Sequence, residues 1–96
     1  MHAVVRTYSG AGSKQLLDLL AERNAEVEGL LRSVPGLVSY TMLRSGDGGV
    51  TVTVCQDKAG TDESLRIAKD WMQKNASGIG ASPPVVTEGS VVLQIQ

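Results

Sequence analysis

The sequence predicts an α+β domain with the element order β-α-β-β-α-β. The stretch from Pro35 to Asp57 spells a β-hairpin, with two β-rich runs, Leu37 to Ser45 and Val50 to Gln56, flanking Gly46-Asp47-Gly48-Gly49. Turn residues between two such runs are the hairpin signature. A helical pattern lies on each side of this hairpin, and a further β-rich run lies beyond each helix. This split β-α-β repeat closes a four-stranded antiparallel sheet with two helices on one face.

Taken in order, His2 to Tyr8 alternate loosely and read as the first strand. Ser9-Gly10-Ala11-Gly12 breaks the chain, and Ser13 is placed to cap a helix that continues to about Ser33. Leu16, Leu20, Val27, Leu31 and Val34 share one face of that helix at the α-helical period. Pro35-Gly36 stops it. A hairpin turn centred on Asp47-Gly48 pairs Ser45 with Val50, Leu43 with Val52 and Thr41 with Val54. One face then holds Ser39, Thr41, Leu43, Val50, Val52 and Val54. The other holds Val38, Tyr40, Met42, Arg44, Thr51, Thr53 and Cys55.

The second helix runs from about Thr61, its expected cap, to Ser77-Gly78. Leu65, Ala68, Met72 and Ala76 form its apolar stripe, with Trp71 at the margin and Ile67 opposite. Val85 to Gln96 reads as a last strand with a bulge or bend at Gly89. No linker or repeat interrupts the chain, so residues 1–96 are expected to form one domain.

Composition narrows the function. Hydrophobic residues are 42% and charged residues 20% of the 96, and the formal net charge is −1. No basic stripe invites nucleic acid. No apolar run approaches the roughly 18 residues that span a membrane, and the start of the chain lacks the apolar core of a signal peptide. With a single cysteine, Cys55, no intrachain disulfide forms; a cytoplasmic location is expected. Helices on one face leave the other sheet face bare, an apolar area larger than a soluble monomer usually shows. A two-fold homodimer is therefore expected, its sheets packed into a barrel with the last strand reaching the partner.

The strand-helix-Val34-Pro35-Gly36-Leu37-Val38-Ser39-Tyr40-hairpin-helix layout resembles the dimeric α/β-barrel, ferredoxin-like superfamily. Within it, the layout is most similar to the antibiotic-biosynthesis-monooxygenase-like proteins, over nearly the whole chain. The resemblance implies an apolar pocket between sheet and helices and a small apolar or aromatic ligand. It also implies a cofactor-independent monooxygenase acting on an aromatic or polyketide-like substrate. The sparse ionisable residues among the pocket candidates support the alternative of a structural or ligand-sensing barrel with no catalytic site. Haem-degrading members use a histidine on the second helix, and this one has none there. The chain also departs from the family at the end of the third strand, where many members carry a Trp and this one has Cys55-Gln56-Asp57.

No metal site and no cofactor are expected, since the lone histidine, His2, has no ligand-spaced partner. Tyr40, Arg44, Thr53 and Cys55 share the hairpin face expected to line the pocket; Tyr and Arg there suit a phenolate or carboxylate. Trp71, the one indole, suits a stacking wall or the core. Arg23 and Asn24 interrupt the first helix's apolar stripe, where polar groups either face a cavity or reach solvent. Cys55 as a nucleophile would need a base that the sequence does not show, and a buried small hydrophobe is the simpler reading.

Overall fold

The computed structural model describes residues 1–96, in the order β1 (His2–Tyr8), α1 (Ser13–Glu22), α2 (Asn24–Arg32), β2 (Leu37–Ser45), β3 (Gly48–Cys55), α3 (Lys58–Asn75) and β4 (Val85–Ser90). The strands form one antiparallel sheet in the order β2-β3-β1-β4. This is the predicted architecture, with corrections to the helices and to the hairpin turn.

The predicted first helix is two helices, bent at Arg23, whose φ of −97° and ψ of 26° leave the helical region. Each segment seats its own apolar residues. Leu16, Leu17 and Leu20 of α1 pack with Tyr8 and Trp71. Leu31 of α2, with Val34, packs against Cys55 at the other end of the sheet. The bend gives each end its own contact. Ser13 does not cap α1. Gly12 precedes the helix with φ 77°, and the Ser13 hydroxyl lies 2.9 Å from the carbonyl oxygens of both Gly10 and Asp47, tying the helix start to the hairpin turn.

The hairpin turns one residue earlier than predicted. Ser45 pairs with Gly48, Leu43 with Val50 and Thr41 with Val52. Gly46-Asp47 is the two-residue loop, and Gly46 has φ 59°, the positive φ that tight hairpin loops place on glycine. The pairing slides by two residues, so the side chains keep their predicted faces. Near the start of β2 a bulge between Leu37 and Ser39 sets Leu37, not Val38, opposite Cys55. The predicted irregularity at Gly89 is absent; Gly89 pairs regularly with Ala3. Strand β4 ends at Ser90 rather than Gln96. Beyond it Val92, Leu93 and Ile95 are 98%, 78% and 84% exposed.

Helix α3 starts earlier than predicted because Asp57, not Thr61, caps it by accepting from the Gly60 N–H. It seats on the sheet through Gly60, Thr61, Ser64 and Trp71, all buried. Small residues allow that close approach: a Cβ on Gly60 would lie 2.7 Å from the Pro35 carbonyl oxygen and 2.8 Å from Cys55 Cβ. Ile67 packs beside Leu31, Val34 and Cys55, so it faces the core rather than away from it. The predicted stripe of Leu65, Ala68, Met72 and Ala76 lies about a quarter-turn round the helix and is only partly covered.

Candidate functional site

Alternation along β1 turns His2, Val4, Arg6 and Tyr8 toward the helices, where Val4, Arg6 and Tyr8 are buried. Arg6 stands opposite Thr51 on β3 and Val4 opposite Thr53. Between these residues, α3 and the loop before β4 lies a cleft of about 640 Å³. Its walls include Arg6, Tyr8, Leu16, Leu65, Ala68 and Met72, and its rim Lys69, Gln73, Ser82 and Val86. The uncovered apolar stripe of α3 is thus the wall of a cleft. A smaller apolar recess of about 30 Å³ adjoins it and shares Arg6, Tyr8, Ala68 and Met72; Trp71, Tyr40 and Thr51 close its far side. The cleft volume falls in the range of small-molecule sites, whereas the recess has room for about one water.

Arg6 is the unusual group. It is 6% exposed, its Nε has no hydrogen-bond partner, and it joins no ion pair. The Oγ1 atoms of Thr51 and Thr53 are likewise buried without partners. A buried guanidinium with no counter-charge costs several kcal/mol, and buried arginines are ordinarily paired. Burial pushes the Tyr8 and Tyr40 phenols above their usual range, with Arg6 partly opposing the shift in each. Both tyrosines therefore stay protonated near neutrality and face the cation as neutral hydroxyls.

Of the residues expected from sequence, Tyr40 and Trp71 line the recess. Thr53 is fully buried beside it in the sheet. The Trp71 indole N–H donates to Glu26, and Glu26 lies 3.5 Å from Arg23, so an Arg23–Glu26–Trp71 chain joins α2 to α3. Arg23 is exposed at the helix bend. Asn24 borders a separate groove between α2 and β2. Arg44 is not in the pocket: it reaches α1 and pairs with Asp18 at 2.7 Å on the surface, where Lys14 also binds that carboxylate. These partners hold the Asp18 carboxyl below its usual range, the Arg44 hydrogen bond most of all. Cys55 is 0% exposed and its thiol is pushed up by burial and then by Asp57, the reverse of an activated nucleophile.

His2 binds Thr61 Oγ1 through Nδ1 at 2.8 Å and faces Glu88 at 3.6 Å through Nε2, joining β1, α3 and β4 outside the cleft. No three His, Cys, Asp or Glu side chains converge as a metal site would require. Arg6 and Tyr8 were not expected. The readable signal was phase: Arg6 falls on the same alternation as Val4 and Tyr8, placing a charge on the inward side of a strand.

No family model matches the chain, and no curated protein matches it. Solved structures do. A monooxygenase from Streptomyces coelicolor, ActVA-Orf6, solved with nanaomycin D, superposes with TM-score 0.71 at 19% identity over 99% of this chain and 90% of that one. A dimeric ferredoxin-like protein from an uncultured marine organism gives 0.69 at 12% identity over 99% and 96%. SnoaB, a cofactor-independent oxygenase from Streptomyces nogalater, gives 0.60 at 19% identity over 98% and 94%. The fold is that of the ferredoxin-like monooxygenases and dimeric ferredoxin-like proteins, as the sequence resemblance implied.

Proposed function

We propose that the chain is a small-molecule-binding domain that takes a flat, largely apolar ligand into the cleft beside α3. The reading rests chiefly on the 640 Å³ cleft itself, walled by the stripe that a helix of this kind would otherwise bury. The fold-level likeness to ActVA-Orf6 and SnoaB supports cofactor-independent oxygenation of an aromatic or polyketide-like substrate. In that chemistry a deprotonated phenol or enol passes electrons to O2. An activated methylene becomes a carbonyl: one oxygen atom enters the product, the other leaves as water, and the substrate supplies all four electrons. Groups that hold the substrate anion lower the barrier. Tyr40 and Trp71 wall the recess behind that position.

The working unit is proposed to be a homodimer. Ala3, Val5, Val50, Val52 and Leu43 lie on the sheet face opposite the helices, and past the Val91 N–H bond to the Met1 carbonyl the apolar tail is exposed at Val92, Leu93 and Ile95. A second copy covers both.

A non-enzymatic, ligand-sensing reading is favoured by one observation: no carboxylate or imidazole lines the cleft to serve as a base. Oxygen-electrode traces with an anthrone-type phenol, alongside titration of Trp71 fluorescence, separate the two. Oxygenation predicts one O2 consumed per carbonyl formed; saturable quenching without O2 uptake leaves the sensor. If the anthrone neither quenches Trp71 nor consumes O2, the cleft reading fails.

A further inference from the structure

Resting on the cleft reading above, we infer that the ligand is a singly anionic aromatic, a phenolate, enolate or carboxylate, whose charge docks against Arg6. The charged residues lining the cleft and its recess are Arg6 and Lys69, both cationic; no Asp or Glu borders either space. Arg6 stands on the wall the two spaces share, so a ligand in the cleft lies against this side chain. The group is buried, its Nε is unpartnered, and it has no ion pair. The other residues on that shared wall, Tyr8, Ala68 and Met72, are apolar or neutral. A guanidinium offers a planar fork of N–H donors matched to an oxyanion, and such charge-assisted bonds are strongest where water is excluded. Lys69, exposed at the rim, adds an entry field of the same sign. The predicted anion-binding arginine of the hairpin, Arg44, is meanwhile occupied by Asp18.

The test compares two probes of similar shape, anilinonaphthalene sulfonate, which is anionic, and phenylnaphthylamine, which is neutral, by fluorescence titration of the intact protein. The wild type is expected to bind the sulfonate at least about tenfold more tightly. Arg6→Met should abolish that preference while keeping the neutral probe, and Arg6→Lys should retain part of it. Ala68→Phe, which thrusts a phenyl ring into the space beside Arg6 from the wall the cleft and recess share, should weaken both probes. Equal affinity of the wild type for the two probes overturns the anion assignment and leaves the cleft reading intact. So does an Arg6→Met protein that still prefers the sulfonate. Probe binding indifferent to Ala68→Phe overturns both readings, since the probes then sit elsewhere. The wild-type comparison decides the question even if a variant does not fold.

Discussion

At the scale of single residues, the buried cation dominates. Arg6 is buried among apolar and neutral polar side chains without a counter-charge, so its removal should stabilise the free protein. Replacing buried charges with apolar groups of similar size often adds roughly 1–4 kcal/mol. Arg6→Met is therefore expected to raise the calorimetric Tm; a fall of several degrees would mean the guanidinium has a native partner. Tyr8 and Tyr40 are the only tyrosines, and burial raises both phenols. A raised folded-state value means the unfolded chain loses its protons first as pH climbs. The stabilising contribution is whole below the unfolded value near 10 and is lost as pH rises toward the folded values. Absorbance at the tyrosinate band, followed with circular dichroism, should show both phenols ionising above the ordinary range and together with unfolding. Ionisation near the ordinary value with structure intact would contradict their burial. Cys55, masked and with its pKa raised, should react with a thiol reagent only after denaturant is added.

At the scale of elements, close approach decides more than hydrophobicity. Helix α3 seats on the sheet through Gly60 and Ser64, and the richer apolar stripe is left for the cleft. Gly60→Ala places a methyl against the Pro35 carbonyl and Cys55 Cβ and should cost about 1–3 kcal/mol in denaturant titration. Asp57→Ala, which removes the cap, should cost about 1 kcal/mol. Ala68→Ser, on the cleft wall, should be nearly silent by comparison. If Gly60→Ala proves as silent as Ala68→Ser, the seating described for α3 is wrong. The helix bend has a similar origin. Arg23 and Asn24 were visible in the sequence as polar interruptions of a stripe, yet a stripe alone does not say whether the helix bends there or snorkels a side chain. The two separate core clusters at the ends of the sheet settle it.

At the scale of the whole molecule, the bare sheet face and the tail set the expectation. A covered face needs a partner, and a second copy is proposed to supply it. Light scattering at micromolar concentration should report twice the 10.1 kDa chain mass. Val52→Glu, on the face away from the helices, should shift the protein to monomer while the fold, read by circular dichroism, persists. A wild-type monomer would remove the dimer proposal. A dimer unaffected by Val52→Glu would move the interface off this face.

Element order, the hairpin and its two faces followed from residue type and period alone, since the side chains of a strand alternate whatever lies across from them. Turn position was less determined. Four consecutive turn-forming residues admit several loops, and the choice of Gly46-Asp47 rests on pairing across the whole ladder. The helix caps were misplaced for a related reason: Ser13 and Thr61 are good caps in isolation, but here their hydroxyls serve the hairpin turn and His2. The site was the part least visible. Tyr40 and Trp71 reach it, while Arg44 does not, because a long side chain at the end of a strand goes to whichever carboxylate the neighbouring helix offers. Arg6 carried a signal in its phase on β1, but whether an inward arginine is paired depends on residues distant in sequence. Local period thus determined which way the strand side chains face, though not which face of α3 meets the sheet. Only the tertiary structure decided which inward polar groups are left without partners, because pairing is a property of what the fold brings together.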